Sequence, residues 1–401
     1  VYILGLSYYR VTDRIDNVED IIQSPLPGDV ADWSKIDFET EAKAAYGNVT
    51  IPMTDQFRFT VGLRTSEDSF HSKSTSYPPR YGTYGDPMGK EEGTMTYSGT
   101  DYKIGLEYDV GENAMFYTDY STSYRTQGMA FRWPSDPNQV ASGLPPEKLK
   151  AFNLGYKSRF YGNRFQFNVA GYYYDYIDYF AQGGQRSVSL NDINDDGDYD
   201  DPGEIRTVMD EQAKSVGDAK VYGVDVSASM IITSQDKLDV TVSSNRKYFT
   251  SMLFDYTDAT NDFVGIPDKD LAGWPMTYSP TLTFNAAYSH NFNLENGDMI
   301  TARIDAKYQS EYLLDWETYS VDFDPVTYMP LPAVYTQDIS TQEPHYISNI
   351  TAVYADAEGK WTFTTYMKNI TNYAAKLHGR GTRSLNISAP RTYGAILSIK
   401  Y

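Results

Sequence analysis

The feature that most constrains this chain is its alternation of apolar and polar residues. Successive side chains of a β-strand point to opposite faces, so a period of two means a strand with one apolar and one polar side. In residues 299–312, Ile300, Ala302, Ile304, Ala306 and Tyr308 alternate with Thr301, Arg303, Asp305, Lys307 and Gln309. Residues 57–65, 101–109, 221–230 and 281–290 repeat the pattern, and no sustained helical period with caps appears. About fourteen strands are expected, near 1–11, 36–50, 56–66, 98–110, 114–126, 147–160, 164–180, 217–232, 237–255, 279–292, 298–313, 343–355, 360–372 and 389–401. Each is long enough to cross a bilayer, which takes about 9–11 tilted residues.

The connections alternate too. Short turns ("PMTD", "VGEN", "YGNR", "TSQD", "NLENGD", "DAEG") alternate with long connections near 12–35, 67–97, 127–146, 181–216, 256–278, 314–342 and 373–388. Short turns at one end and long loops at the other are the pattern of an outer-membrane barrel. A soluble sandwich alternates as well, but its strands usually run to about 5–6 residues. A solenoid needs a fixed repeat, and none is found. The expected fold class is therefore all-β, a transmembrane antiparallel β-barrel.

Composition narrows the function. The net charge of −20 argues against a nucleic-acid partner, which needs a basic face. Cysteine is absent, which excludes disulfides and thiolate chemistry. No run approaches the length of an apolar membrane helix. Tyrosine stands out at 37 residues, and its apolar body with a polar tip suits a wet interface. No nucleophile elbow or phosphate loop is found, so no enzyme is expected.

The last strand reads "RTYGAILSIKY". Gly394, Leu397, Ile399 and the terminal Tyr401 resemble the C-terminal signal read by the barrel assembly machinery of the outer membrane. Several other segments then carry a fuller resemblance. They are "TDQFRFTVGLRTSED", "NAMFYTDYSTSYRTQGMAF", "LPPEKLKAFNLGYKSRFYGNRFQFNVAGYYYDYID", "GDAKVYGVDVSAS" and "MKNITNYAAKLHG" with "APRTYGAILSIKY". In this order they resemble the C-terminal barrel portion of a TonB-dependent receptor, along nearly all of residues 1–401. The departures lie in the long connections.

That resemblance implies a 22-stranded barrel with an N-terminal plug, of which this chain would supply strands nine to twenty-two. Val1 opens inside a strand-like run without Met, basic segment or cleavage site, so the chain is expected to be a fragment. The resemblance also implies the outer membrane of a Gram-negative bacterium, contact with its lipid, and small-molecule cargo. It implies a TonB complex reached through the missing plug, and active uptake of a scarce nutrient, a ferric siderophore first. Two alternatives stay open from the residues. One is a passive 14-stranded channel. The other is a secreted, calcium-stabilised, glycan-binding β-protein.

Two groups are candidate sites. Residues 191–204 read "NDINDDGDYDDPGE", where Asp192, Asn194, Asp196, Asp198 and Asp200 put oxygen ligands at every second position and Gly197 permits the turn. With Glu204 closing the set, this is the spacing of a calcium loop. The twelfth position is Gly203, a departure from that pattern. A Ca2+ ion is expected there as a stiffener of the loop. The second group is "YRTQGMAFRWP", which puts Arg125, Gln127, Met129, Phe131, Arg132 and Trp133 at the top of a strand, where a cation and aromatics could meet an anionic ligand. His71, His290, His345 and His378 show no metal spacing. Arg303, Asp305, Lys307 and Glu311 are expected to face the lumen.

Overall fold

The structure is a computed structural model of all 401 residues. It describes residues 1–19, 32–77, 89–126, 145–182, 186–190, 206–210, 213–254, 269–314, 319–320, 334–335, 340–380 and 384–400. One antiparallel sheet takes fourteen strands in chain order. They are β1 (Tyr2–Glu19), β2 (Asp32–Pro52), β3 (Phe57–Tyr77), β4 (Gly89–Asp109), β5 (Ala114–Arg125), β6 (Glu147–Phe160) and β7 (Phe165–Gln182). They continue with β8 (Ala213–Ile231), β9 (Asp236–Phe254), β10 (Leu282–Asn293), β11 (Met299–Gln309), β12 (His345–Ala355), β13 (Trp361–Lys368) and β14 (Thr392–Ile399). Among the described residues β1 and β14 each pair on one side only.

The register shows why the sequence alternates. One rung, followed from β3 to β12, reads Phe57, Tyr108, Phe116, Tyr156, Val169, Val226, Val242, Phe284, Tyr308, Tyr346. The adjacent rung reads Arg58, Glu107, Tyr117, Gly155, Ala170, Asp225, Ser243, Thr283, Gln309, His345. Every member of the first is apolar or aromatic, and most of the second are polar or charged. The rungs start at the short-turn end of β3 and finish at the long-connection end of β12. That stagger is what tilted barrel strands require. The apolar face is not covered by protein: Tyr108, Phe116, Phe284, Leu154, Ile304 and Leu397 are among its exposed side chains. Uncovered apolar surface of this extent marks contact with a partner or a membrane.

Three strands run far past the length a bilayer needs. β2, β3 and β4 have 21 residues each, about 70 Å at ~3.3 Å per residue, against an apolar band about 25 Å tall. Much of residues 12–35 and 67–97, expected as connections, is therefore strand. In this extension the polarity of the two faces inverts. The outer rung becomes Arg10, Glu41, Ser69, Thr96, and the inner one Val11, Thr40, Phe70, Met95. Arg10 donates to Glu39 at 2.9 Å on the outside, while the Phe38 and Phe70 rings stack at 6.2 Å on the inside.

The short-turn rim is laced turn to turn. Arg58 pairs with Glu107 at 2.8 Å and with Asp109, and Arg164 donates to the Ile231 carbonyl at 3.0 Å. Buried Asp298 accepts from the Tyr354 hydroxyl, from Asn296 Nδ2 at 2.6 Å and from the Ala357 N–H at 2.9 Å, which joins two successive turns. The Tyr354 hydrogen bond, opposed by burial and helped by Ala357 and Asn296, holds the Asp298 carboxyl below its usual value. A carboxyl whose folded pKa is lowered adds stability above its unfolded pKa and loses it as the pH falls through the folded value. The melting-temperature gap between wild type and Asp298→Asn should thus be full at neutral pH and narrow below about pH 4, the ordinary Asp range. Melting curves in detergent across that range test this. A gap that does not change with pH would mean that shape, not charge, holds the turns.

Candidate ligand-facing surface

The polar face carries the chemistry available to a ligand or a partner inside a barrel. Arg303, Asp305 and Lys307 lie on it by register. Asp305 accepts from Asn349 at 2.7 Å, and Arg303 donates to Ser289 Oγ at 3.4 Å. Arg303 also stands 3.9 Å from both Asp305 and Asp239, so its charge is shared between two carboxylates of the wall. A shallow depression of about 270 Å³ on this wall is lined by Tyr117, Asn168, Asp225, Ser227, Thr241 and Asn285. Asn168 donates to Ser227 at 3.2 Å and Asn285 to Thr241 at 2.9 Å, so the neutral groups hold one another and Asp225 supplies the charge.

At the long-connection rim the wall gains a small core. Ala219, Phe249, Met252 and Leu271 are buried together, with Tyr176, Tyr179, Trp274 and Met276 packed around them. Residues 269–276 fold back along β9 to close it. Leu271 N–H donates to the Met252 carbonyl at 2.8 Å, Gly273 to Phe249 at 2.8 Å and Met276 to Lys247 at 3.0 Å. Arg125, the first residue of the candidate binding segment, stands next to this core. Its guanidinium donates to Glu147 at 2.9 Å, and the buried Glu147 carboxylate also accepts from the Phe180 N–H at 3.3 Å. Arg125 therefore neutralises a buried carboxylate on the next strand. The register that brings Arg125 opposite Glu147 cannot be seen in the sequence.

The rest of that segment (Gln127, Met129, Phe131, Arg132, Trp133) lies outside the described residues, as do Asp192, Asn194, Asp196, Asp198, Asp200 and Glu204. Among the described residues no group of acidic or histidine side chains could hold a metal ion. His290 accepts a different role from a ligand's: its Nδ1 lies 2.6 Å from Asp236 and its ring packs on Phe292. In the closing strand, Leu397 and Ile399 stand on the apolar face and Gly394 on the polar one, while Tyr401 lies outside the described residues. A Cβ at Gly394 would sit 2.6 Å from the Tyr366 hydroxyl oxygen. Glycine there leaves room for the ring of the neighbouring strand, whatever else reads the segment.

Two faces of opposite polarity, diagonal rungs, short turns at one rim and long connections at the other define the wall of a transmembrane β-barrel. The family model described as "TonB dependent receptor-like, beta-barrel" matches residues 2–371, and the chain belongs to that family. Solved structures agree on the fold. The ferric yersiniabactin uptake receptor FyuA from Yersinia pestis is similar with a TM-score of 0.73 at 14% identity, over 100% of this chain and 51% of that one. The ferripyoverdine receptor of the outer membrane of Pseudomonas aeruginosa gives 0.55 at 12% identity, over 99% and 53%. The copper transporter OprC gives 0.59 at 14% identity, over 100% and 54%. The chain spans about half the length of these relatives.

Proposed function

We propose that this chain is the C-terminal part of the wall of an outer-membrane receptor of a Gram-negative bacterium. In this reading the receptor takes up a scarce nutrient, first of all a ferric siderophore, with energy from a TonB complex acting through a plug. The observation that carries it is the two-faced sheet of fourteen strands, in a chain whose residues 2–371 match the family model. Two of the similar structures are named for ferric yersiniabactin and for ferripyoverdine, the second also for the outer membrane. A third is named for copper, so the uptake test includes copper beside the ferric cargo. The wall itself performs no covalent step. Capture falls to the long connections, including residues 127–133, and calcium at Asp192–Glu204 belongs to the same proposal as a stiffener of one of them.

The test is uptake of radiolabelled ferric siderophores and of copper by iron-starved cells that carry the whole gene. Uptake should disappear when either the gene or the TonB complex is removed. Flux that persists without TonB would favour the passive channel, and a product that is soluble without detergent would favour the secreted protein.

A further inference from the structure

We propose that the described parts of the outer connections after β9, β11 and β13 (residues 269–281, 310–314, 340–344, 369–380 and 384–391) are clasped into one body that moves as a unit, with Gln342 as its centre and Tyr278–His378 as an outer latch. Much of the buried polar content of the described chain gathers here: Ser340, Gln342, His345 and Asn369 are all less than a tenth exposed. The Gln342 amide is fixed at both ends. Its Oε1 accepts from the Lys376 N–H, and its Nε2 donates to the Glu343 carbonyl at 2.7 Å and to the Tyr373 hydroxyl at 3.2 Å. Residue 342 lies on the connection after β11, while 373 and 376 lie on the one after β13. His345 stacks flat on Tyr373, with centroids 5.3 Å apart, and so excludes water from the amide.

Around this centre the connections after β11 and β13 are also braced within themselves. Leu314 N–H donates to the Ser340 carbonyl at 2.7 Å, and Asn369 Nδ2 donates to the Tyr373 and Ala389 carbonyls at 2.9 and 3.1 Å. The connection after β9 joins through Tyr278. Its N–H donates to the Leu313 carbonyl at 2.7 Å, and its hydroxyl lies 2.9 Å from Nδ1 of His378, one hundred residues on. Tyr278 holds a left-handed φ of 54° and is half exposed. A bulky residue keeps such a backbone only where its surroundings impose it.

A buried amide with every polar atom engaged makes the contacts cooperative. Once one partner leaves, the remaining groups are buried and unpaired, so the others leave with it. The connections are then bound together or released together.

Hydrogen exchange on the whole receptor in detergent tests this, read by mass spectrometry on wild type and Gln342→Leu. Backbone exchange should rise together in residues 310–314, 340–345, 369–380 and 384–389, by at least about tenfold, the equivalent of one of the three hydrogen bonds that the amide makes. Exchange in β2 to β4 should stay unchanged. A rise confined to 340–345 overturns the proposal. Should Gln342→Leu fail to fold, Tyr278→Phe decides, because it removes only the latch hydroxyl. Faster exchange in both 310–314 and 376–380 supports the clasp, and a change in only one of them, or in neither, overturns it.

Discussion

Gly217→Ala is expected to be among the most destabilising small substitutions in the wall. Gly217 lies where β8 shifts register against β7, and the shift against β9 follows at once. A Cβ there would stand 1.5 Å from the carbonyl oxygen of Ser251 and 2.8 Å from Cα of Met252. Both are backbone atoms of β9, so no side-chain rotation relieves the clash. The two strands must part, and Ala219, Phe249 and Met252 next to the contact must open with them. Overpacking of this kind costs about 1–3 kcal/mol, and a clash with main chain belongs at the upper end. Gly171→Ala is the control. Its nearest atom to a new Cβ is 3.9 Å away, and its change should stay within about 0.5 kcal/mol. The unfolding midpoint of the whole receptor in detergent, followed by heat-dependent electrophoretic mobility, separates the two. Equal midpoints would mean that β8 and β9 are not held this closely.

The wall was legible in the sequence because a bilayer imposes one rule on every strand that crosses it. Ile300 to Gln309 shows the rule in full, and β11 is found where the alternation places it. The rule lapses where strands leave the membrane. Ser69, His71 and Lys73 now face outward while Phe70 faces inward, so residues 67–77 read as a polar connection although they pair as strand. Arg125 could be placed at the top of β5, but Glu147 lies 22 residues away and only the register brings them together. Gln342, Tyr373 and Asn369 were invisible for a related reason. Gln342 and Tyr373 are single polar residues in long connections without a period, Asn369 falls inside the strand expected over 360–372 although β13 ends at Lys368, and the meaning of each lies in partners that sequence distance conceals.

A charge placed at residue 242 should be far more damaging than the same charge at residue 243. Val242 belongs to the apolar rung, between Val226 and Phe284, and Ser243 belongs to the polar one, between Asp225 and Thr283. The two positions share a strand and a depth and differ only in the face they present. β9 starts at Asp236, so both lie six or seven residues in, about 20 Å along the strand at ~3.3 Å per residue. With strands tilted by about 45°, that is near the middle of an apolar band about 25 Å tall. An arginine facing lipid at mid-depth costs roughly 2–4 kcal/mol. Val242→Arg should therefore lower the equilibrium constant for folding into lipid vesicles by one to three orders of magnitude, at about 1.4 kcal/mol per factor of ten. Ser243→Arg sets its guanidinium beside Asp225 on the wetted side and should leave that constant nearly unchanged. Equal losses at both positions would mean that neither face meets lipid. The reverse order would mean that the sheet is inside out relative to the membrane, with its polar rung toward the hydrocarbon, where charged groups have no water to replace.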